Sequence, residues 1–197
     1  MFPLVADFEG DGKMSAYHEY RIECSGFTFS VEYHYDEDLG APWEENDGHG
    51  PVSDWEQRDK KPGEFILCED RGSKRFYDYA EACRIALRDG WGAPGEIEGE
   101  TSRQKAARAA MSDFEFLRGW CNGDWHWVDI VVKMLDAEGE ETGDEESVLG
   151  FDSSSDEYLR SEAERMAEDL AAGVMRTMRF KQQGESIKNA MINARGI

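Results

Sequence analysis

The 197-residue sequence predicts an α+β fold, an antiparallel sheet of about five strands with helices packed on one face. Three observations carry that reading. Two apolar/polar alternations meet at Ser25-Gly26 with a change of phase. Three helical stripes begin beside residues able to cap them. A later alternation, DWHWVDIVVKML, is followed by a second short extended run, SVLGFD. Strands therefore fall mainly into hairpins, in the order β-β-loop-β-α-α-β-β-α.

In HEYRIEC the apolar positions are Tyr20, Ile22 and Cys24; in FTFSVEYHY they are Phe27, Phe29, Val31, Tyr33 and Tyr35. A two-residue turn at Ser25-Gly26 sets Cys24 opposite Phe27 and Ile22 opposite Phe29, which brings both apolar sets to one face. GEFILCED reads as a third short strand. Asp78 and Glu81 have the spacing of a capping box ahead of a helix carrying Tyr79, Ala80, Cys83, Ala86 and Leu87, with Gly90 at its end. Thr101 and Gln104 repeat the box before a second helix, which runs through Ala106, Ala110, Asp113, Phe114, Leu117 and Trp120 to Gly123. The next strand presents His126, Val128, Ile130, Val132 and Met134 on its more apolar face. Residues 136–146 read as a loop and SVLGFD as the partner strand. Ser154 with Glu157 is the expected cap of a last helix carrying Leu159, Ala163, Met166, Leu170, Val174 and Met178. After Gly184 the chain reads as a short amphipathic helix or as disordered.

These elements divide the chain into a flexible acidic leader (1–16), a single α+β domain (17–180) and a basic tail (181–197). The aromatic content, ten Phe, seven Tyr and six Trp, supports a folded core. The sequence has no signal-peptide pattern and no apolar run of bilayer-spanning length. Cys24, Cys68, Cys83 and Cys121 are widely spaced and read as reduced thiols, which points to a cytoplasmic location.

Charge is the strongest compositional feature. Forty-three acidic and 22 basic residues give a formal net charge of −21. Residues 1–175 carry −25, whereas residues 176–197 carry +4 from Arg176, Arg179, Lys181, Lys188 and Arg195 against Glu185. Such a body repels nucleic acid and anionic lipid over a screening length of about 8 Å. It attracts basic protein surfaces.

No sequence pattern supports an enzyme. There is no phosphate-binding glycine loop, no nucleophile elbow and no histidine or cysteine pair at metal-ligand spacing among His18, His34, His49 and His126. No catalytic residue, metal ligand or cofactor is assigned. Asp7, Glu9, Asp11 and Gly12 begin like a calcium loop, but His18 stands where that loop needs a carboxylate. DAEGEETGDEE, residues 136–146, holds seven carboxylates and no base. The remaining unexplained segment is GAPWEENDGHGPVSDWEQRDKKPGE, residues 40–64, with Trp43 and Trp55 able to fold it into a self-packed lid and Arg58, Asp59, Lys60 and Lys61 at its base.

GAPWEENDGHGPVSDW, RDKKPGE and GSKRFYDYAEACRIALRDGWG, with LRGWCNGDWHWVDIVV and SVLGFDSSSDEYLRSEAERMAEDLAAGV, resemble a family of hypothetical proteins from tailed bacteriophages and prophages. The resemblance covers roughly residues 17–175; Leu149 and Phe151 flank Gly150 where the family usually carries Trp. The family has no assigned activity, so the resemblance implies an origin, and with it action on host machinery.

The leading expectation is a non-enzymatic phage accessory protein that binds and inhibits a host nucleic-acid-handling or defence protein, in the manner of a DNA mimic. Its partner would offer a basic nucleic-acid-binding surface; the body itself would bind neither nucleic acid nor membrane. The expected contact residues are Asp36, Glu37, Asp38, Glu44, Glu45, Asp47, His49, Glu138, Glu140, Glu141, Asp144, Glu145 and Glu146, with Trp43 and Trp55 as apolar anchors. Two alternatives stand beside it: a metal-dependent hydrolase or nucleic-acid-processing accessory built on His34, His49 and nearby carboxylates, and an assembly protein docking through its basic tail.

Overall fold

The computed structural model describes residues 17–195, with side chains through Lys188. The leader 1–16 and residues 196–197 of the tail lie outside the described residues. The element order is β1 (His18–Cys24), β2 (Phe27–Tyr35), α1 (Pro42–Glu45), β3 (Glu64–Asp70), β4 (Ser73–Asp78), α2 (Tyr79–Asp89), α3 (Ser102–Asn122), β5 (Trp127–Leu135), β6 (Glu141–Asp152) and α4 (Asp156–Arg195). The fold is α+β. The stretch expected to form a single domain divides into two compact units: residues up to Asp36 together with those from Trp127 onward, and the inserted segment Glu37–His126.

The first unit is a four-stranded antiparallel sheet in the order β1-β2-β5-β6, with α4 packed on one face. The hairpin has the expected register, Cys24 opposite Phe27 and Ile22 opposite Phe29. Ser25 and Gly26 both take positive φ, 54° and 83°, the geometry that matches the twist of paired strands. Phe29, Val31, Tyr33, Val128, Ile130, Val132 and Met134 form the buried face. They meet Leu159, Ala163, Met166, Ala167 and Ala171 of α4. Burial of each large aliphatic or aromatic side chain contributes about 1.5–3 kcal/mol.

Three expectations are corrected here. The acidic run 136–146 is not wholly a loop: only Asp136–Glu140 turns, held by Glu138 and Glu140 N–H donation to Asp136 Oδ1 (3.0 and 2.9 Å). β6 starts at Glu141, because its backbone pairs with β5 whatever its side chains are, with Lys133 opposite Glu145 and Val132 opposite Glu146. The cap of α4 is Ser155, whose Oγ accepts from Tyr158 N at 3.3 Å, while Ser154 bonds Asp152. Finally, the helical alternative expected after Gly184 is the one found, but not as a separate short helix: α4 continues unbroken to Arg195. A single mid-helix glycine costs only about 1 kcal/mol and is flanked here by helix formers.

The inserted unit pairs β3 with β4 as a separate two-stranded ribbon packed with α2 and α3, so the strands do not form one sheet of about five. β4 escaped the sequence reading because Phe76 and Tyr77, adjacent in sequence, are both buried, which erases the alternation. Arg58 lies over the Phe76 ring at 4.0 Å, and Tyr77 packs on Phe114. Thr101 and Gln104 form both halves of the expected box. Asp78 accepts from Glu81 N at 2.9 Å, but its own N–H goes to Pro51 O, so only half of that box exists. Gly90 and Gly123 end their helices in the left-handed conformation. In α2 the buried positions are Ala82 and Ala86; Leu87, placed on the apolar stripe by sequence, is exposed.

Candidate functional site

Both units are acidic, −13 for the sheet unit with its basic tail and −8 for the inserted unit, and the sheet unit is the more acidic once the tail is set aside. Residues 17–36 and 127–175 hold 19 acidic and four basic residues; residues 37–126 hold 20 acidic and 12 basic. In the four-stranded sheet, strand alternation turns every side chain not facing α4 to the opposite, open face. Glu19 and Glu23 of β1, Glu32 of β2, Asp129 of β5, and Glu141 and Glu145 of β6 lie there, with only Arg21 and Lys133 as bases. A depression of about 420 Å³ on this face is lined by Glu19, Arg21, Glu32, Glu140 and Glu141 among others. Glu19 stands directly opposite Glu32 in the register, a like-charge pairing that disfavours the isolated sheet.

Lys133 Nζ offsets part of this repulsion, donating to Glu32 Oε1 at 2.7 Å and Glu141 Oε1 at 3.1 Å. Burial raises the pKa of Glu32, but hydrogen bonds from Lys133 and His34 outweigh it and hold the carboxyl below its ordinary range. His34 Nε2 lies 3.0 Å from Glu32 Oε2. Asp129 behaves oppositely. Burial first, and then the neighbouring Asp36 carboxylate, push it up despite hydrogen-bond donation from Gly150 N.

Beside this face, β6 and α4 enclose a groove of about 510 Å³. Its walls carry Asp144, Glu146, Asp169 and Lys181 over Leu170, Val174 and Met178. The carboxylates of β6 thus divide between two faces, Glu141 and Glu145 on one and Asp144 and Glu146 on the other. Asp144 and Glu146 are alternate residues, about 6.8 Å apart along the strand, whereas Glu141 and Glu145 are four residues apart across a register irregularity.

In the inserted unit, the 40–64 segment is built onto β4. Val52 bridges to Tyr77 and Glu56 to Lys74, extending the ribbon by a broken third strand. The expected aromatic packing is found for Trp43, which sits edge-on to Trp120 at 5.4 Å and joins the core around Leu67 and Leu117. Trp55 is 46% exposed. Arg75 lies over both rings, at 5.4 and 5.3 Å. At the loop base Arg58 donates to both Glu56 and Glu64.

The loop's centre is fixed by a pair that sequence reasoning did not connect. His49 Nδ1 lies 2.6 Å from Asp113 Oδ1 of α3. Asp113 Oδ2 accepts from Gly50 N at 2.8 Å and from the Tyr77 hydroxyl at 2.7 Å. Burial and the adjacent carboxylate push the Tyr77 phenol far above its ordinary value, so it remains a donor. A β-carbon on Gly50 would come within 2.5 Å of Tyr77 Oη and 2.7 Å of Ala82 Cβ, which accounts for a glycine there. His49 stacks on Phe116 and borders a cleft of about 400 Å³ with Trp91, Ser112 and Asp113. Asp113 was visible only as a polar member of the α3 stripe; a carboxylate on the apolar side of a helix was the available signal.

The expected contact residues therefore fall into two groups. Asp36, Glu138, Glu140, Glu141, Asp144, Glu145 and Glu146 belong to the sheet unit. Glu37, Asp38, Trp43, Glu44, Glu45, Asp47, His49 and Trp55 belong to the inserted unit. Glu44 and Glu45 sit on α1, with Glu45 accepting from Gly40 N; Glu37, Asp38 and Asp47 are exposed. His34 and His49 belong to different units, each against its own carboxylate. Among the described residues no group of three or more His, Cys, Asp or Glu side chains is arranged to hold a metal ion, and no helix is long and apolar enough to cross a membrane. Comparison of the chain with protein-family models, with curated proteins and with solved structures finds no match.

Proposed function

We propose that the protein is a non-enzymatic phage accessory protein that occupies the basic nucleic-acid-binding surface of a host protein, and that its sheet unit supplies the contact. The observation that carries this reading is the open sheet face with its edge strand β6. Six carboxylates stand against two bases on that face, Glu19 directly opposite Glu32 and Glu141 and Glu145 on the edge strand, with no element of the unit packed over them. Edge strands in general expose unpaired backbone groups; charged side chains such as those of β6 prevent indiscriminate strand addition while leaving electrostatic docking open. Charge steers the encounter, and exposed apolar groups such as Leu149 on β6, 68% exposed, add affinity. The resemblance of the loop motifs to phage proteins supports the choice of a host partner.

The test is capture from host lysate at about 0.1 and about 0.5 M salt, followed by affinity measurement on the partner found, since added salt weakens electrostatic capture. The triple variant Glu23→Lys/Glu141→Lys/Glu145→Lys, all on the open face, is expected to bind at least about 100-fold more weakly, and duplex DNA to compete with the wild-type protein for the same partner. A partner bound equally by the triple variant, or not displaced by DNA, refutes the reading.

A further inference from the structure

Helix α4 has 40 residues, a length of about 60 Å, yet its packing on the sheet ends near Val174. From Arg176 to Lys188 every residue is exposed. A helical extension without tertiary contacts is marginal on its own, the more so with Gly184 inside it. Charge is also segregated along the helix. Residues 156–175 carry six acids and two bases, and residues 176–195 one acid and five bases, net −4 and +4. The helix macrodipole explains only the first and last turns of such a gradient.

A stripe along the flank of α4, beside the positions buried on the sheet, runs through Tyr158, Arg165, Asp169, Arg176, Phe180 and Ile187 at helical spacings of four and seven; at its start Tyr158 stands edge-on to Phe151 of β6, and Asp169 borders the groove against β6. Its apolar members are open to solvent: Tyr158 is 45%, Phe180 75% and Ile187 58% exposed. Turning a second copy of this stripe antiparallel about its midpoint sets Asp169 opposite Arg176, Arg165 opposite Phe180 and Tyr158 opposite Ile187. The crossing point falls at Ala172-Gly173. Nothing lies within 4 Å of a β-carbon added to Gly173, so packing inside the chain does not require the glycine there. Close helix approach does.

We infer that the protein self-associates through α4, as an antiparallel two-fold pair in which the basic half of each helix lies along the acidic half of its partner. A second copy fits this stripe better than nucleic acid or an anionic bilayer, because both of those would also meet the acidic half of α4 and the acidic sheet. A two-fold pairing uses each complementary contact twice. The inference is independent of the host target proposed above.

Sedimentation velocity of the full chain tests it, across about 1–100 μM protein and at about 0.1 and 0.5 M salt. The expected result is a species of twice the 22.4 kDa chain mass that dissociates as salt rises. Arg176→Asp should raise the dissociation constant at least about tenfold, and Asp169→Arg combined with Arg176→Asp should recover pairing, since both contacts are then reversed together. Gly173→Leu serves as a control against unfolding. It raises helix propensity yet wedges the crossing, so it should leave a folded monomer. A monomeric wild-type chain throughout this range overturns the inference, as does a dimer indifferent to Arg176→Asp or to Gly173→Leu. So does a monomer that instead binds anionic vesicles or duplex DNA through Arg176.

Discussion

His49 Nδ1 and Asp113 Oδ1 are 2.6 Å apart although 64 residues separate them in sequence, and this one contact ties the 40–64 segment to α3. Asp113 also receives the Gly50 N–H and the Tyr77 hydroxyl, so donors from a loop and a strand converge on one carboxylate carried by a helix. The arrangement both orients an imidazole beside a cleft and locks the inserted unit together.

Removing that carboxylate takes the acceptor from the Gly50 N–H and the partner from the His49 imidazole, while the Tyr77 hydroxyl keeps Ala110 O at 3.1 Å. Asp113→Ala is expected to destabilise the protein by about 3 kcal/mol, and His49→Ala by about 1–2 kcal/mol because only one bond is lost. Urea denaturation followed by tryptophan fluorescence measures both; a loss below 1 kcal/mol for Asp113→Ala would mean that the donors find other partners.

Gly50 offers a steric test of the same junction. The overlap of an added methyl group with Tyr77 and Ala82, neither free to retreat in a packed core, predicts a loss of about 2 kcal/mol for Gly50→Ala. Gly48, whose β-carbon position is open, should accept alanine with a change within about 0.5 kcal/mol.

The sheet face predicts a pH dependence with two opposed contributions. Glu32 has a folded pKa below its ordinary 4.5, so its contribution to stability is present above that value and is lost as pH falls through the lowered one. Asp129 has a raised folded pKa, so its ionised form is disfavoured and the fold gains as pH falls through that raised value. Glu32→Gln should therefore lower Tm at pH 7 with the gap closing in acid. Asp129→Asn should leave Tm unchanged or higher at pH 7. Thermal melts from pH 3 to 8, read as about this range of titration, would be inconsistent with the assignment if the two variants moved Tm in the same direction.

Cysteine reactivity checks the interior of the inserted unit. Burial, then a hydrogen bond with Cys68, pushes the Cys121 thiol up to about 12. Almost no thiolate exists at pH 8, so iodoacetamide should modify Cys121 only after unfolding, at a rate at least about 100-fold lower in the native protein than in a peptide of the same sequence. Peptide mapping after timed alkylation gives the rates.

Most of the elements were legible because their signals are local. The phase flip at Ser25-Gly26, the Thr101–Gln104 box and the left-handed glycines 90 and 123 each depend on a few neighbouring residues, and each is found. β4 and the first half of β6 were not legible, since Phe76-Tyr77 has no alternation and Glu141–Glu146 no apolar face; distant pairing makes both of them strands. The expected acidic residues were visible one by one, but not their division between the open sheet face and the groove against α4.

By itself, then, the sequence determined the fold class, the first hairpin and its register, the caps and stops of the middle helices and the opposed charges of body and tail. These follow from backbone propensities, side-chain period and composition, which act over a few residues or need no structure at all. Only the tertiary structure decided that residues 37–126 form a separate inserted unit, that the acidic segment 141–146 is an edge strand, that Asp113 receives His49, and that α4 continues past the sheet. Those features rest on contacts between segments far apart in the chain, whose free energy exists only once both partners have been brought together.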